Sequence, residues 1–205
     1  MKRILPVFSY IFHPLFISVY ATLFYFFLAK NYFYQHEIYL IFIQVLILTV
    51  LLPISMYYLL NSLGLLKSKM TLDKKERRLP LAFHAILLLV LIKHSFSVYV
   101  IPELYYYFLG YLISTVLALL LVMFNYKASL HIMGISALTT FIISLSLYYD
   151  IHLISFIVIA IICTGFTASS RLHMKAHEPH ELVLGVLLGT VPQIALWSVW
   201  LFPTL

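Results

Sequence analysis

The sequence predicts an all-α integral membrane protein, a polytopic bundle of transmembrane helices with six or seven spans. Of its 205 residues, 63% are hydrophobic and only 10% are charged, so the chain lacks the residues that a soluble domain places on its surface. Several apolar stretches also reach the roughly 20 residues that a helix needs to cross a bilayer. Because lipid offers no hydrogen-bond partners for backbone N–H and C=O groups, these stretches are expected to be helical.

The expected spans are bounded by the charged and turn-forming residues between the apolar stretches. We predict spans at about 5–29, 38–65, 80–101, 104–124, 130–148, 152–168 and 182–201. The first stretch is long for the apolar part of a secretory leader and fits a first span better. The fifth and sixth are short and lie close together around Asp150, so a re-entrant hairpin would reduce the count to six. We predict one membrane domain over 1–205, with N-terminal spans over 5–65 and a core over about 66–201.

Most of the positive charge falls on segments that alternating spans would place on one side of the membrane. Eleven of the thirteen Lys and Arg residues lie there: Lys2, Arg3, Lys67, Lys69, Lys74, Lys75, Arg77, Arg78, Lys127, Arg171 and Lys175. The positive-inside rule predicts that this side faces the cytoplasm. The net charge of +6 suits anionic lipid headgroups or phosphorylated substrates rather than nucleic acid. The basic loop over 67–79 is by itself also typical of a segment that only anchors on lipid.

The densest group of ionisable side chains lies between the last two predicted spans, over residues 169–181. This segment holds three His, two Glu, one Arg and one Lys. Ionisable residues at a membrane boundary are costly, so they indicate a functional site. His177 and Glu181 are four residues apart, so on a continuous helix the carboxylate could hold one imidazole nitrogen and leave a lone pair on the other. Pro179 suits the first turn of the last span.

Two further polar stretches precede predicted spans. Ser129 and His131 stand at the start of the fifth span, where a helix N-terminus can bind phosphate. Taken alone, this pattern is more typical of a helix cap and an interfacial histidine. The basic loop ends in Arg78-Leu79-Pro80, where Pro80 suits the first turn of the third span and Arg78 could pair with phosphate oxygens.

Together the three stretches resemble the motifs of the type 2 phosphatidic acid phosphatase superfamily, which includes vanadium-dependent haloperoxidases. That family's pattern is Lys-x6-Arg-Pro, then Pro-Ser-Gly-His, then Ser-Arg-x5-His-x3-Asp. The third motif is matched here by Ser170-Arg171, five residues, His177, three residues and Glu181 in place of Asp. The second reads Ala-Ser-Leu-His over 128–131, with Ala for Pro and Leu for Gly.

The first motif is the most divergent. Leu79 is inserted between Arg78 and Pro80, and Thr71 stands where the family has Lys. Lys74 and Lys75 are the nearest residues that could replace that lysine. The resemblance covers about residues 66–185. In its divergent positions the chain resembles a branch of small bacterial membrane proteins of this superfamily.

The resemblance implies a lipid phosphatase that needs no metal or other cofactor. It implies that His177 is a nucleophile held by Glu181, and that His131 is the general acid for the leaving group. The implied phosphate-binding residues are Arg171, Arg78, Ser129, Ser170, Lys74 and Lys75. Polyprenyl diphosphate, phosphatidic acid, phosphatidylglycerol phosphate and phosphorylated lipid A are all compatible substrates. A bacterial inner membrane is the expected location, and the oligomeric state is not defined by the sequence.

A metal site is an alternative use of the same segment. His173, His177 and Glu181 recur at four-residue steps and would present three ligands along one row of a continuous helix. Pro179 argues against such a helix. A catalytically inactive relative that binds phosphorylated lipid is a further alternative.

A transporter or scaffold is the non-enzymatic alternative. Lys93, His94 and His84 fall within the third predicted span, and ionisable residues inside a membrane often mark a transport path. The chain shows no internal repeat of the kind that many transporters have. His13, which precedes Pro14 in the first predicted span, is interpreted as a packed or interfacial residue rather than a member of a site.

Overall fold

A computed structural model describes residues 5–65 and 76–202, which form helices and contain no β-strand. The α-helices are α1 (Leu5–Ile11), α2 (Pro14–Ala29), α3 (Gln35–Leu46), α4 (Leu52–Ser62), α5 (Arg78–Ser95), α6 (Pro102–Met123), α7 (Leu130–Tyr148), α8 (Ile154–His173), α9 (Pro179–Ala195) and α10 (Trp197–Trp200). A 3₁₀ turn at Lys30–Tyr32 extends α2, and a π-helical turn at Ile47–Leu51 joins α3 to α4. The predicted all-α class is confirmed.

Seven helical segments of the described chain are long and apolar enough to cross a membrane. They are Pro14–Tyr32, Gln35–Ser62, Arg78–Ser95, Pro102–Met123, Leu130–Tyr148, Ile154–His173 and Pro179–Trp200. Large apolar side chains on them are widely exposed, for example Phe27 at 63% and Ile154 at 72%. Such surfaces suit lipid and are rare on soluble monomers. The chain is an integral membrane protein with seven candidate spans, the larger of the two predicted numbers.

The fifth and sixth spans are two full helices. Helix α7 has 19 residues and α8 has 20, so at 1.5 Å per residue each is about 30 Å long, close to the thickness of the hydrocarbon core. The five residues between them include Asp150, whose φ of 50° turns the chain sharply. This geometry favours two separate spans over the predicted alternative of a re-entrant hairpin.

The first predicted span, 5–29, is wrong as a single helix. Helix α1 ends at Ile11 and α2 begins at Pro14. Proline has no backbone N–H to continue the helix, and it disfavours helical geometry in the residue before it, here His13. The break separates a short amino-terminal helix from the first span.

The helices pack into two compact units, one formed by the two ends of the chain and the other by its middle. One unit contains residues 1–17 and 128–205, in which α1 packs on α8 and α7 packs on both α8 and α9. The other contains residues 18–127, in which α5 packs on α6 and on the segment from α3 to α4. The predicted single membrane domain with its core over 66–201 stays a prediction.

Helix α7 is the buried centre of the first unit, and two glycines of α9 let that helix approach it closely. Thirteen of the 19 residues of α7 are buried. A Cβ atom at Gly185 would lie 2.7 Å from the carbonyl oxygen of Ser129. A Cβ atom at Gly189 would overlap the carbonyl oxygen of Met133 and lie 2.9 Å from the Cβ of Ser136. This Gly-x3-Gly spacing is a common device for close packing of membrane helices.

We expect Gly189→Ala to destabilise the protein by about 1–3 kcal/mol, because the added methyl group meets backbone atoms of α7 that cannot move alone. The measurement is unfolding of the purified protein in detergent, followed by circular dichroism. Gly165→Ala in α8 is the matched control, because nothing lies within 4 Å of a Cβ built there. Equal stability of the two variants would show that α7 and α9 do not pack this closely.

Candidate functional site

His177 and Glu181 form a close pair at the start of α9. The Nδ1 atom of His177 and the Oε2 atom of Glu181 are 2.6 Å apart, and both residues are buried. Because a carboxylate only accepts hydrogen bonds, Nδ1 carries the proton, and in the neutral form of the ring the lone pair lies on Nε2. The contact that the four-residue spacing indicated is present, and His177 lies just before the helix, as the position of Pro179 indicated.

The pair forms across a helix start. Helix α8 ends at His173, and α9 begins at Pro179, which occupies the predicted first-turn position. Side chains in a helix lean towards its N-terminus, so Glu181 reaches back over the first turn to His177. The same Oε2 atom accepts the backbone N–H of Glu178 at 3.3 Å, which helps to fix the carboxylate.

Ser129 and His131 lie beside this pair, at the N-terminus of α7. The backbone N–H of Ser129 donates to the carbonyl oxygen of Glu181 at 3.0 Å. Ser129 is the residue that precedes the helix, yet its hydroxyl makes no capping bond, is fully buried and has no partner among the described residues. A buried hydroxyl at the positive end of a helix dipole is suited to an anion. The simple cap considered from the sequence is therefore absent.

The last turn of α8 adds Ser170 and Arg171. Both side chains are buried, with Arg171 only 9% exposed. The ring of His131 lies within electrostatic reach of the Arg171 guanidinium and of the His13 and His177 rings. The first unit therefore brings together all the predicted site residues of the second and third motifs. A cation, two imidazoles and a helix N-terminus in one place can bind an oxyanion and move protons next to it.

Two residues near the amino terminus, Ser9 of α1 and His13 after it, contact residues of the candidate site. The His13 and His131 rings meet edge to face, with their centroids 5.1 Å apart. The hydroxyl oxygens of Ser9 and Ser170 are 2.6 Å apart. The ring contact agrees with the prediction that His13 is packed, whereas the contact of Ser9 was not predicted. The signal in the sequence was Pro14, which breaks the predicted first span and leaves Ser9 and His13 on a separate short helix and its end.

The residues of the first motif lie in the second unit or outside the described residues. Arg78 belongs to the second unit, where its Nη2 atom donates to the carbonyl oxygen of Met123 at 3.5 Å. Pro80 lies in the first turn of α5, as expected. Lys74 and Lys75 lie outside the described residues. The convergence of these three cations on the histidines stays a prediction.

The geometry does not favour the alternative metal site. His173 is the last residue of α8, whereas Glu181 lies in α9, so the row of three ligands on one helix is not formed. Across residues 5–65 and 76–202, no group of three His, Cys, Asp or Glu side chains is placed to hold a metal ion.

The three residues that motivated the transporter alternative all lie in α5, but two of them lie at its end. Helix α5 ends at Ser95, before the predicted residue 101, so Lys93 and His94 occupy its last turn and are exposed, whereas His84 lies within the span. Near a helix end, such long polar side chains reach the headgroup region.

Comparison with known protein families, with curated proteins and with solved structures finds no match. The fold and this site define an integral membrane protein with seven candidate spans and an imidazole–carboxylate pair at the start of α9.

Proposed function

We propose that this protein is a membrane phosphatase that hydrolyses a lipid phosphate or diphosphate through a phosphohistidine intermediate. The observation that carries the proposal is the His177–Glu181 pair at 2.6 Å, beside an α7 N-terminus whose Ser129 hydroxyl is buried without a partner among the described residues. The sequence resemblance to the type 2 phosphatidic acid phosphatase superfamily supports the same assignment. Membership in that family is part of the proposal.

In the first proposed step, the lone pair on Nε2 of His177 attacks phosphorus. A P–N bond forms, and the bond between phosphorus and the lipid oxygen breaks. Glu181 accepts the Nδ1 hydrogen bond and stabilises the positive charge that develops on the ring. His131, in its protonated form, gives its proton to the departing lipid oxygen. The phosphoryl group is now on His177, and His131 is neutral.

In the second step, water displaces the histidine from phosphorus. The now neutral His131 accepts a proton from that water, the new P–O bond forms, and the P–N bond breaks. Inorganic phosphate leaves, and both imidazoles return to their starting forms. The cycle is therefore balanced without an outside acid, base or metal ion.

The charge of the transferring phosphoryl group is balanced by groups that do not move protons. Arg171 pairs with two of its oxygens, and the backbone N–H groups at the start of α7, with the Ser129 hydroxyl, bind the third. Ser170 adds a hydroxyl on the Arg171 side. By the resemblance, Arg78 and one of Lys74 and Lys75 complete the cationic surroundings.

The proposed substrate is a lipid because the site lies at helix ends of a chain with almost no soluble part. Polyprenyl diphosphate, phosphatidic acid, phosphatidylglycerol phosphate and phosphorylated lipid A all present a phosphate at the headgroup level. A bacterial inner membrane is proposed from the resemblance to small bacterial members of the superfamily, and a site that faces the cytoplasm is proposed from the distribution of basic residues.

The test is phosphate release by the purified protein in detergent, assayed with phosphatidic acid and with a polyprenyl diphosphate. We expect release without added metal and no loss when EDTA is present. Acid-labile, base-stable phosphate on the protein after rapid quenching would identify a phosphohistidine. Binding of these lipids without release would instead indicate the inactive lipid-binding relative, and release that EDTA abolishes would contradict a metal-independent mechanism.

A further inference from the structure

The amino-terminal helix α1 is attached to the residues of the proposed site. The Ser9 hydroxyl is 2.6 Å from the Ser170 hydroxyl, and the Ser9 backbone lies close enough to the His131 ring to influence its charge. The His13 ring lies edge to face against the His131 ring, with centroids 5.1 Å apart. Helix α1 and the residue before Pro14 therefore contact α8 and α7 through polar groups of the site.

Apolar contacts hold α1 in this place. The ring of Phe8 stacks on Phe166 of α8, with centroids 4.8 Å apart. Tyr10 and Ile11 on the same helix are 62% and 46% exposed, so the helix has an outward face as well. This seven-residue helix is therefore a separate element, which packs against α8 and makes buried polar contacts there.

His13 is itself held in one orientation. Its Nδ1 atom accepts the backbone N–H of Leu15 at 3.4 Å, just after the break made by Pro14. Burial of the ring lowers the pKa of His13, and the positive charge of Arg171 lowers it further. Both effects and the accepted hydrogen bond favour a neutral ring, because protonation would place a second cation near Arg171.

We infer that Ser9 and His13 are positioning residues of this site, which hold the Ser170 hydroxyl and the His131 ring in the orientations that phosphoryl transfer requires. The inference rests on the proposed function for the reaction it serves. His131 must become protonated before it can act as an acid, and a neutral His13 supports its ring without adding charge. The charged and titratable groups around this pair are Arg171 from α8 and His177 from the α8–α9 connection.

The activity experiment compares Ser9→Ala, His13→Ala and His13→Phe with Tyr10→Ala. Tyr10→Ala is the matched control, because it alters the exposed face of the same helix. We expect His13→Ala to lower kcat for phosphatidic acid by about tenfold to a hundredfold through misplacement of His131, with KM changed by less than about twofold. Ser9→Ala should give a smaller loss, and His13→Phe should recover most of kcat, because its ring can keep the edge contact.

Two outcomes of the activity experiment would overturn the inference. One is an unchanged kcat in His13→Ala. The other is an equal loss in Tyr10→Ala and His13→Ala, which would mean that α1 acts only by being docked. A loss of kcat in Ser9→Ala and His13→Ala but not in Tyr10→Ala, with recovery of kcat in His13→Phe, supports the inference.

A second experiment does not depend on turnover. Histidine-labelled protein is titrated by NMR, and the His13 signal is assigned from its loss in His13→Phe. We expect the pKa of His13 to lie below its usual range and to rise in Arg171→Gln, because a neighbouring positive charge is removed. The signal of the exposed His152 is the internal control. A His13 pKa that lies in its usual range and does not change in Arg171→Gln would overturn the inference. Absence of phosphate release by the unmodified protein would reject the proposed function alone.

Discussion

Replacing His177 with alanine is expected to abolish phosphate release, with a loss of about 10⁴-fold or more, as for other nucleophiles that form covalent intermediates. The side chain supplies the atom that bonds to phosphorus, and alanine removes both that atom and the hydrogen bond to Glu181. Labelled phosphate should also no longer be trapped on the protein. Phosphate release and trapping are measured on the same preparation.

His180→Ala is the matched control for this loss. His180 lies three residues later in the first turn of α9, and its side chain is 66% exposed. His177→Gln provides a second test, because its amide can still donate to Glu181 and preserve the local fold while lacking a nucleophilic nitrogen. Full activity in both His177 variants, with correct folding by circular dichroism, would exclude His177 as the nucleophile.

Replacing His131 with alanine is expected to lower kcat for phosphatidic acid by about 10²–10⁴-fold, the usual contribution of a general acid. The loss should depend on the leaving group. With p-nitrophenyl phosphate the leaving oxygen needs no proton, so the first turnover should persist as a burst of nitrophenolate. Later turnovers should be slow, because the attacking water also needs His131, and phosphohistidine should accumulate.

The matched control is His152→Ala. His152 is exposed and follows the other end of the 19-residue helix α7, so it is far from His131 within the same unit. Loss of the burst together with steady turnover would show that His131 positions the substrate and does not serve as an acid. Burst kinetics are read by stopped flow, and the trapped phosphoprotein is quantified in parallel.

Two positions at which the chain differs from the motifs it resembles are compatible with this fold. Leu130 stands where the resembled motif has glycine, yet it is the first residue of α7, and the positive-φ residues of the described chain other than glycine are Asn125, Asp150 and Lys175. The backbone at this position therefore needs no glycine. Glu181 is one methylene longer than the family's aspartate, and its carboxylate still meets Nδ1 of His177 at 2.6 Å because the histidine lies before the helix begins.

Several features could be predicted because they depend on local composition or short spacing. Six or seven spans follow from the lengths of apolar stretches, and the start of α9 at Pro179 follows from the missing proline N–H. The His177–Glu181 contact follows from four-residue spacing near a helix start. The same local reasoning failed at residues 12–13, where hydropathy continues although the helix does not.

By itself, the sequence determined that this chain is an integral membrane protein with six or seven spans, and which imidazole lies close to a carboxylate. Only the tertiary structure decided that α1 docks on α8, that Gly185 and Gly189 bring α9 against α7, and that Ser9 and His13 reach residues more than a hundred positions away. The physical reason is that hydropathy and spacing act along the chain. Which helices pack together depends on the shapes of side chains that are distant in the sequence. In lipid every helix is apolar, so hydropathy does not select the partner.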